Sequence, residues 1–300
     1  MKIGVVSVTY NSEKVLADFF SSLSAQTHSN FKTIYIDNAS SDNSVELIKA
    51  HLDSNQILVE NKTNVGVAAA NNQGIKLAME QDCDFILLMN NDTKFEPALF
   101  EKLIDGYHRY KSSVIVPKMK YYDNQDEIWF AGGFYNPWKA KLNYHRGQGE
   151  LDKGQYNSDD VIEYAPTCCA LIHKTVFEDV GLMDEKYFVY FDDTDFFYRI
   201  KLNNKHEVRY IHNIEFFHKI GSLTKSRTAK GSQFYSPFFI KQNSKNHVYF
   251  LKKQKDLLSY LMIIYLWFYL MFRFFFSRNF NKNWQVLSLI QTSYFKGLKM

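Results

Sequence analysis

Short apolar runs alternate along the first 117 residues with stretches whose apolar positions recur every three or four. The runs are Ile3 to Val8, Phe31 to Ile36, Ile57 to Val59, Phe85 to Met89 and Val114 to Val116. Uninterrupted runs of this length suit strands buried on both faces. Between them, Val15, Leu16, Phe19, Phe20 and Leu23 keep helical spacing, which predicts a helix opening over Tyr10-Asn11-Ser12-Glu13 with Ser12 as N-cap. Asp42 is placed to cap a second helix carrying Val45, Leu47, Ile48 and Leu52. An Ala-rich helix follows Asn64-Val65-Gly66 and runs through Met79, and another covers Phe95 to Tyr110. Strands alternating with helices of this length predict an α/β fold, its sheet mostly parallel and its crossovers right-handed.

The pattern changes after Pro117. Gly132-Gly133, Pro137 and the glycines between Gly147 and Gly154 mark turns among short strands, Cys168 to His173 is a further apolar run, and Thr194 to Leu202 is helical with Asp195 and Arg199 as an i,i+4 pair. From about Ser232 the chain is helical to its end. Three segments result: 1–117, 118–231 and a helical 232–300. In the last, Leu257 to Phe272 carries no charge, with Lys252, Lys253 and Lys255 before it and Arg278 and Lys282 after it. The uncharged stretch is shorter than the roughly 20 residues that span a bilayer. A helix lying on a membrane surface, its basic residues at the headgroups, is expected over a span or a helix packed on the preceding domain or on another subunit.

Composition narrows the class. Three hundred residues hold one large core or two modest ones, and a net charge of +4 is too small to argue for nucleic acid. Cys83, Cys168 and Cys169 form no disulfide pattern, so reduced, buried thiols in the cytosol are expected. The apolar run at the N-terminus is too short for a signal peptide and reads as a first strand, so translocation is not expected.

Two acidic clusters close apolar runs: Asn90-Asn91-Asp92 after Phe85 to Met89, and Asp192-Asp193-Thr194-Asp195 after Tyr187 to Phe191. A carboxylate at the carboxyl end of a parallel strand sits where such sheets bind ligands. Asp92 can there reach a hard divalent ion that bridges to phosphate, or simply cap the helix expected near Phe95. Helix capping needs one carboxylate, and three within four residues point to acid–base work. His218, between Phe217 and Gly221-Ser222, says little by itself.

Taken together these segments resemble family 2 of the inverting glycosyltransferases, which have the GT-A fold, and within it rhamnosyltransferase-like and galactofuranosyltransferase-like members. The likeness covers roughly Ile3 to Leu223. It is carried by Val8-Thr9-Tyr10-Asn11, Ile36-Asp37-Asn38-Ala39-Ser40-Ser41-Asp42, Asn64-Val65-Gly66-Val67-Ala68, Asn90-Asn91-Asp92-Thr93, Val180 to Asp184, Tyr190 to Arg199 and His218-Lys219-Ile220-Gly221-Ser222. The resemblance implies that Thr9, Tyr10 and Asn11 line a nucleotide cleft and that Asp37 meets the pyrimidine N3–H. It implies that Asn64 and Gly66 let the backbone approach the nucleotide. Asn90 and Asn91 stand for the first acidic positions of the family's Asp-X-Asp motif at that cleft. Asp92 matches the metal-binding carboxylate, and His218 completes a site for Mg²⁺ or Mn²⁺. Asp193 matches the catalytic base, with Asp192 orienting it or touching the acceptor.

The resemblance further implies an inverting transfer from a dTDP- or UDP-linked sugar, dTDP-rhamnose among them, to a glycan hydroxyl in bacterial cell-surface polysaccharide synthesis. A lipid-linked acceptor at the cytoplasmic face of the membrane suits the C-terminal helices. Two other readings compete. A sugar-phosphate nucleotidyltransferase would show a Gly-rich basic loop after the first strand, where this chain has Thr9-Tyr10-Asn11-Ser12-Glu13. A non-catalytic scaffold would have no use for the acidic pair. The lack of G-x-G-x-x-G after the first strand argues against a dehydrogenase.

Overall fold

The computed structural model of the chain describes residues 1–219, 236–276 and 283–300. Its first half builds β1 (Ile3–Thr9), α1 (Leu16–Ser24), β2 (Phe31–Asp37), α2 (Ser44–His51), β3 (Gln56–Glu60), α3 (Val67–Glu80), β4 (Phe85–Met89), β5 (Thr93–Phe95), α4 (Leu99–Tyr110) and β6 (Val114–Pro117). The middle adds β7 (Met119–Tyr121), β8 (Ile128–Phe130), β9 (Gly133–Asn136), β10 (Leu142–His145), β11 (Asp160–Ile162), β12 (Cys169–His173), α5 (Lys174–Val180), α6 (Asp192–Asn203), β13 (Val208–Ile211) and β14 (Phe216–His218). Helices α7 (Pro237–Gln254), α8 (Leu257–Phe276) and α9 (Trp284–Lys299) follow.

The central sheet has eight strands in the order β11-β13-β6-β12-β4-β1-β2-β3. Strands β3, β2, β1 and β4 run parallel, as their apolar runs predict, with Thr9 level with Asp37 across β1 and β2. The carboxyl ends of these four strands therefore open on one edge. All five residues of β4 are at most 2% exposed, since the strand is covered on both faces and flanked on both sides. Helix α3 is rich in small residues because it lies flush on β1: a Cβ on Gly74 would come within 2.2 Å of Val6.

The sheet is mixed, not wholly parallel. Strand β12 inserts antiparallel between β4 and β6, pairing Cys169 with Met89 and His173 with Phe85. Strand β13 returns parallel to β6. A smaller four-stranded sheet has the order β5-β14-β7-β8, and β9 and β10 form a hairpin. The central sheet thus takes strands from both sides of Pro117.

Three local expectations need correction. Ser12 does not cap α1, which starts at Leu16 after Val15 with no side-chain cap. Instead Ser12 is buried, donates its N–H to Ser44 Oγ at 2.7 Å and accepts from the Tyr10 N–H at 3.2 Å, tying the two loops at the sheet edge together. Asp42 accepts from the Ser44 N–H at 3.1 Å at the start of α2, although Asn43 holds the N-cap position. Phe95 lies in β5 rather than α4, paired with Phe216, so Asp92 does not cap a helix there.

The helical start near Ser232 and the basic residues Arg278 and Lys282 lie outside the described residues. Helix α7 begins at Pro237 with Ser236 as N-cap and packs against the preceding domain and α9. Ile263, Leu266 and Phe274 of α8 are buried, and Tyr294 of α9 donates to Ile263 O at 2.8 Å. The opposite side of α8 carries Leu257, Leu261, Ile264, Phe268 and Phe272, each more than half exposed. By length and composition alone, its 20 residues suffice to cross a membrane. Lys252 and Lys253 do not serve as a free basic flank. Lys252 donates to Leu298 O at 2.6 Å, and Lys253 pairs with Asp184 and Asp195 at 2.7 Å each.

Candidate active site

The loops after β1 and β2 interlock through hydroxyls and one carboxylate. Asp37, 2% exposed, accepts from Thr9 Oγ1 at 2.9 Å and Ser40 Oγ at 2.6 Å on Oδ1, and from the Ser40 N–H at 2.9 Å on Oδ2. A carboxylate oxygen takes two donors, so Oδ2 keeps one lone pair for a further N–H. Asn11, in a left-handed conformation at φ 52, accepts from the Ser41 N–H at 2.8 Å and donates its own N–H to Ser40 Oγ at 2.9 Å. Tyr10 is 47% exposed at the mouth of this edge.

Asn64 shapes the next turn by accepting from the Gly66 N–H at 2.9 Å. Gly66 has φ 88, and a Cβ there would stand 2.5 Å from the carbonyl oxygen of Phe188. The bare Cα thus admits a neighbouring loop of the same chain, and the Val67 N–H donates to that carbonyl at 2.7 Å. Asn72 of α3 reinforces the junction, donating to Met183 O and Glu185 at 2.9 Å each. The segment leading to the second acidic cluster is therefore fastened to the helix that starts at the first half's turn.

After β4 the three positions Asn90 to Asp92 part company. Asn90 is exposed; its N–H donates to Cys168 O at 3.1 Å. Asn91 is 1% exposed and spends its amide donor on Val8 O at 2.8 Å; among the described residues its buried Oδ1 has no partner. Asp92 Oδ1 lies 3.1 Å from His218 Nε2. That meeting across 126 positions is brought about by the small sheet. Strand β14 runs antiparallel to β5 with His218 opposite Thr93, and the Lys219 N–H donates to Asp92 O at 2.8 Å. Lys219 also pairs with Asp18 of α1. The rest of that motif, Ile220-Gly221-Ser222, lies outside the described residues.

One carboxylate oxygen and one imidazole nitrogen at this spacing fit a divalent cation. Adjacent ligands about 2.1 Å from an octahedral ion stand about 3 Å apart. Among the described residues no cluster of three or more His, Cys, Asp or Glu side chains can hold a metal. The pair is half a site, and phosphate oxygens of a substrate would be needed to complete it.

The second cluster opens α6. Asp193 Oδ2 accepts from Tyr164 Oη at 2.7 Å, and its Oδ1 accepts from the Thr194 N–H at 2.6 Å. Burial raises the Asp193 carboxyl above its ordinary range, and the Tyr164 hydroxyl pulls it back by favouring the charged form. Burial, and after it the charge of Asp193, raises Asp192 well above the usual carboxylate range. Asp195 is different in kind. Its oxygens meet Arg199 Nε at 3.0 Å and Lys253 Nζ at 2.7 Å, and it is 1% exposed. It is a neutralised strut that ties α6 to α7.

A wall of rings joins the two clusters. His218 packs edge-on to Trp129 at 4.6 Å, Trp129 to His145 at 4.9 Å, and His145 stacks on Tyr164 at 5.7 Å, whose hydroxyl holds Asp193. Burial pushes the His145 imidazole down to about 4, so it is neutral at physiological pH. Behind the wall lies Cys168. Burial first, then the charges of Cys169, Asp92 and Asp193, raise its thiol well above the ordinary range. Both carboxylates thus act on one buried group. Cys168 and Cys169 are buried thiols, inert on these grounds, as expected. Trp129 and His145 are not visible in the sequence pattern, because no motif marks them between Lys118 and Glu163, and Tyr164, the next residue, belongs to no motif either.

Residues 4–181 match the model of the family described as glycosyl transferase family 2. The chain is 22% identical over 205 residues to the low-salt glycan biosynthesis hexosyltransferase Agl10 of Haloferax volcanii, spanning 67% of this chain and 62% of that one. It is 24% identical over 216 residues to an N-acetylglucosaminyl-diphospho-decaprenol L-rhamnosyltransferase of Mycobacterium tuberculosis, covering 64% of this chain and 67% of the relative. Among solved structures, S. aureus TarS 1–349 in complex with UDP-GlcNAc superposes with a TM-score of 0.58 at 19% identity, covering 99% of this chain and 80% of that one. The last likeness concerns the fold, which is GT-A-like.

Proposed function

The chain belongs to glycosyl transferase family 2, and from that we propose an inverting transfer of a sugar from a nucleoside diphosphate to a glycan hydroxyl at the cytoplasmic face of the cell membrane. The observation that carries the proposal is the 3.1 Å approach of His218 to Asp92 at the carboxyl edge of the sheet, with Asp193 across the wall of rings.

On this proposal Thr9, Tyr10, Asn11, Asn64, Asn90 and Asn91 belong to the lining of the nucleotide cleft, and Asp37 Oδ2 takes the N3–H common to thymine and uracil. Asp92 and His218 would hold Mg²⁺ or Mn²⁺. The bound ion supplies positive charge against the leaving diphosphate. Asp193 accepts the proton of the acceptor hydroxyl as its oxygen attacks the anomeric carbon. The bond to the diphosphate breaks on the opposite face, so the configuration inverts. Its burial suits Asp193 for this task, because a base is most effective near the operating pH. Asp192, held towards its neutral form, keeps a second full charge away from the base and can donate to the acceptor.

The decaprenol-linked acceptor named for the M. tuberculosis relative supports a lipid-linked glycan here; that relative's rhamnosyl group supports rhamnose as the sugar moved, and the UDP-GlcNAc bound to TarS supports a UDP-sugar as the other donor. The exposed stripe of α8, from Leu257 to Phe272, supports docking in the plane of the lipid surface rather than a span, since its other side is covered by α7 and α9. Among the basic residues before α8, exposed Lys255 is the one suited to headgroups. The test is transfer from dTDP-rhamnose and a panel of UDP-sugars to a polyprenyl-diphosphate sugar with Mn²⁺, followed by the anomeric assignment of the product. Inverted product is expected. Retained configuration, or pyrophosphate release from a nucleoside triphosphate and a sugar phosphate, would overturn the proposal.

A further inference from the structure

We propose that Asn246, on α7, is a positioning residue for the acidic pair, holding the backbone turn from which Asp192 and Asp193 project. The proposal rests on Asp193 acting as the base.

Two consecutive aromatic residues precede the pair in the left-handed region, Tyr190 at φ 64 and Phe191 at φ 68. Bulky residues avoid this region because the Cβ crowds the backbone, and such strain persists only where surroundings over-determine it. Helix α6 supplies no remedy of its own: Phe191 is its N-cap and offers no side-chain cap. The constraint comes instead from the C-terminal helices. Asn246 Nδ2 donates to Val189 O at 2.9 Å and to Tyr190 O at 2.8 Å, bridging the two carbonyls that enter the turn.

Asn246 is fully buried, and its Oδ1 has no partner among the described residues. A buried amide that leaves an acceptor unmet is a poor choice for packing alone, so the two donated bonds are its use. Its neighbours act on the same turn. His247 stacks on Phe191 at 5.0 Å and is fixed by Ala140 O at 2.8 Å, while Lys253 reaches Asp195 on the next turn. Since α6 starts directly after Phe191, the direction of both carboxyls is set by the turn, and a relaxed turn would re-aim them.

The experiment compares full-length Asn246→Leu with the parent and with Asp193→Asn. Leucine has the branched shape of the amide and no N–H. Turnover should fall by about 10²-fold, the scale of a misplaced catalytic group. The Kd for the nucleotide, titrated with Mn²⁺ on the folded protein, should stay within about twofold, because the turn contributes no residue to the proposed nucleotide lining. A folded Asn246→Leu with parental kcat would overturn the inference, and so would equal losses in kcat and nucleotide affinity, which mark general loosening. Asn246→Ala repeats the test if leucine prevents folding. Near-parental turnover in Asp193→Asn would instead remove the base itself, a failure of the proposed mechanism and not of the clamp alone.

Discussion

At the scale of single residues, chemistry is divided between a carboxylate that can lose its proton and others that are held. A positioned general base contributes about 10² to 10⁴ in rate. Asp193→Asn should lose turnover on that scale while binding the donor normally; single-turnover assays beside a donor titration check it. Tyr164 donates to the proposed base. Its hydroxyl favours the Asp193 carboxylate, so Tyr164→Phe lets the carboxyl rise further. The acidic limb of the kcat/KM profile should then move to higher pH, with activity well above the limb little changed. A limb that stays in place, or moves to lower pH, excludes the tyrosine from tuning the base. Asp193 is legible from its neighbours in the chain. Tyr164 is not, because its place beside Asp193 arises from a hydrogen bond across 29 positions that only the folded chain closes. Asp195 belongs to the same acidic run, and nothing in the run reveals that Lys253 neutralises it.

At the scale of elements, strands buried on both sides are the most readable. Strand β4 occupies the run Phe85 to Met89, since continuous burial leaves no polar position to blur its ends. Strand β5 is easily merged with α4 because three residues carry no period of their own; they are extended only because Phe216 to His218 pair with them. The small sheet brings His218 to Asp92, so the pair proposed to hold the metal is legible by resemblance and not by pattern. Helix α8 is readable by its apolar composition, while its two-sidedness requires the partners α7 and α9. Replacing Leu261, Ile264 and Phe268 by glutamate on the exposed face should release the protein from anionic vesicles without unfolding it. Flotation beside a melting curve decides this, and undiminished binding by the folded triple variant rules the face out. Truncation before Leu257 is a poorer test, because it also strips α9 from α7, which bears Asn246 and Lys253.

At the scale of the whole molecule, the proposed half-site of Asp92 and His218 is to be completed by a ligand. Asp92 and His218 supply one oxygen and one nitrogen, so Mn²⁺ alone and UDP or dTDP alone should each raise the melting temperature little. Together they should raise it by more than the sum, since a ligand that binds only the folded chain stabilises it by RT ln(1 + [L]/Kd). A chelator should abolish the excess, and Asp92→Ala should lack it. Purely additive shifts count against a shared ion. The same long-range logic governs how the sheet is completed. Strand β4 gains its outer neighbour only from β12, antiparallel and far later in the chain. A nascent chain leaving the ribosome therefore carries Phe85 to Met89 as a bare apolar edge until Cys169 to His173 has emerged, and bare edges of this kind recruit other chains. Synthesis of this chain thus has an interval in which chaperone cover matters most, and its end is set by the arrival of one short strand.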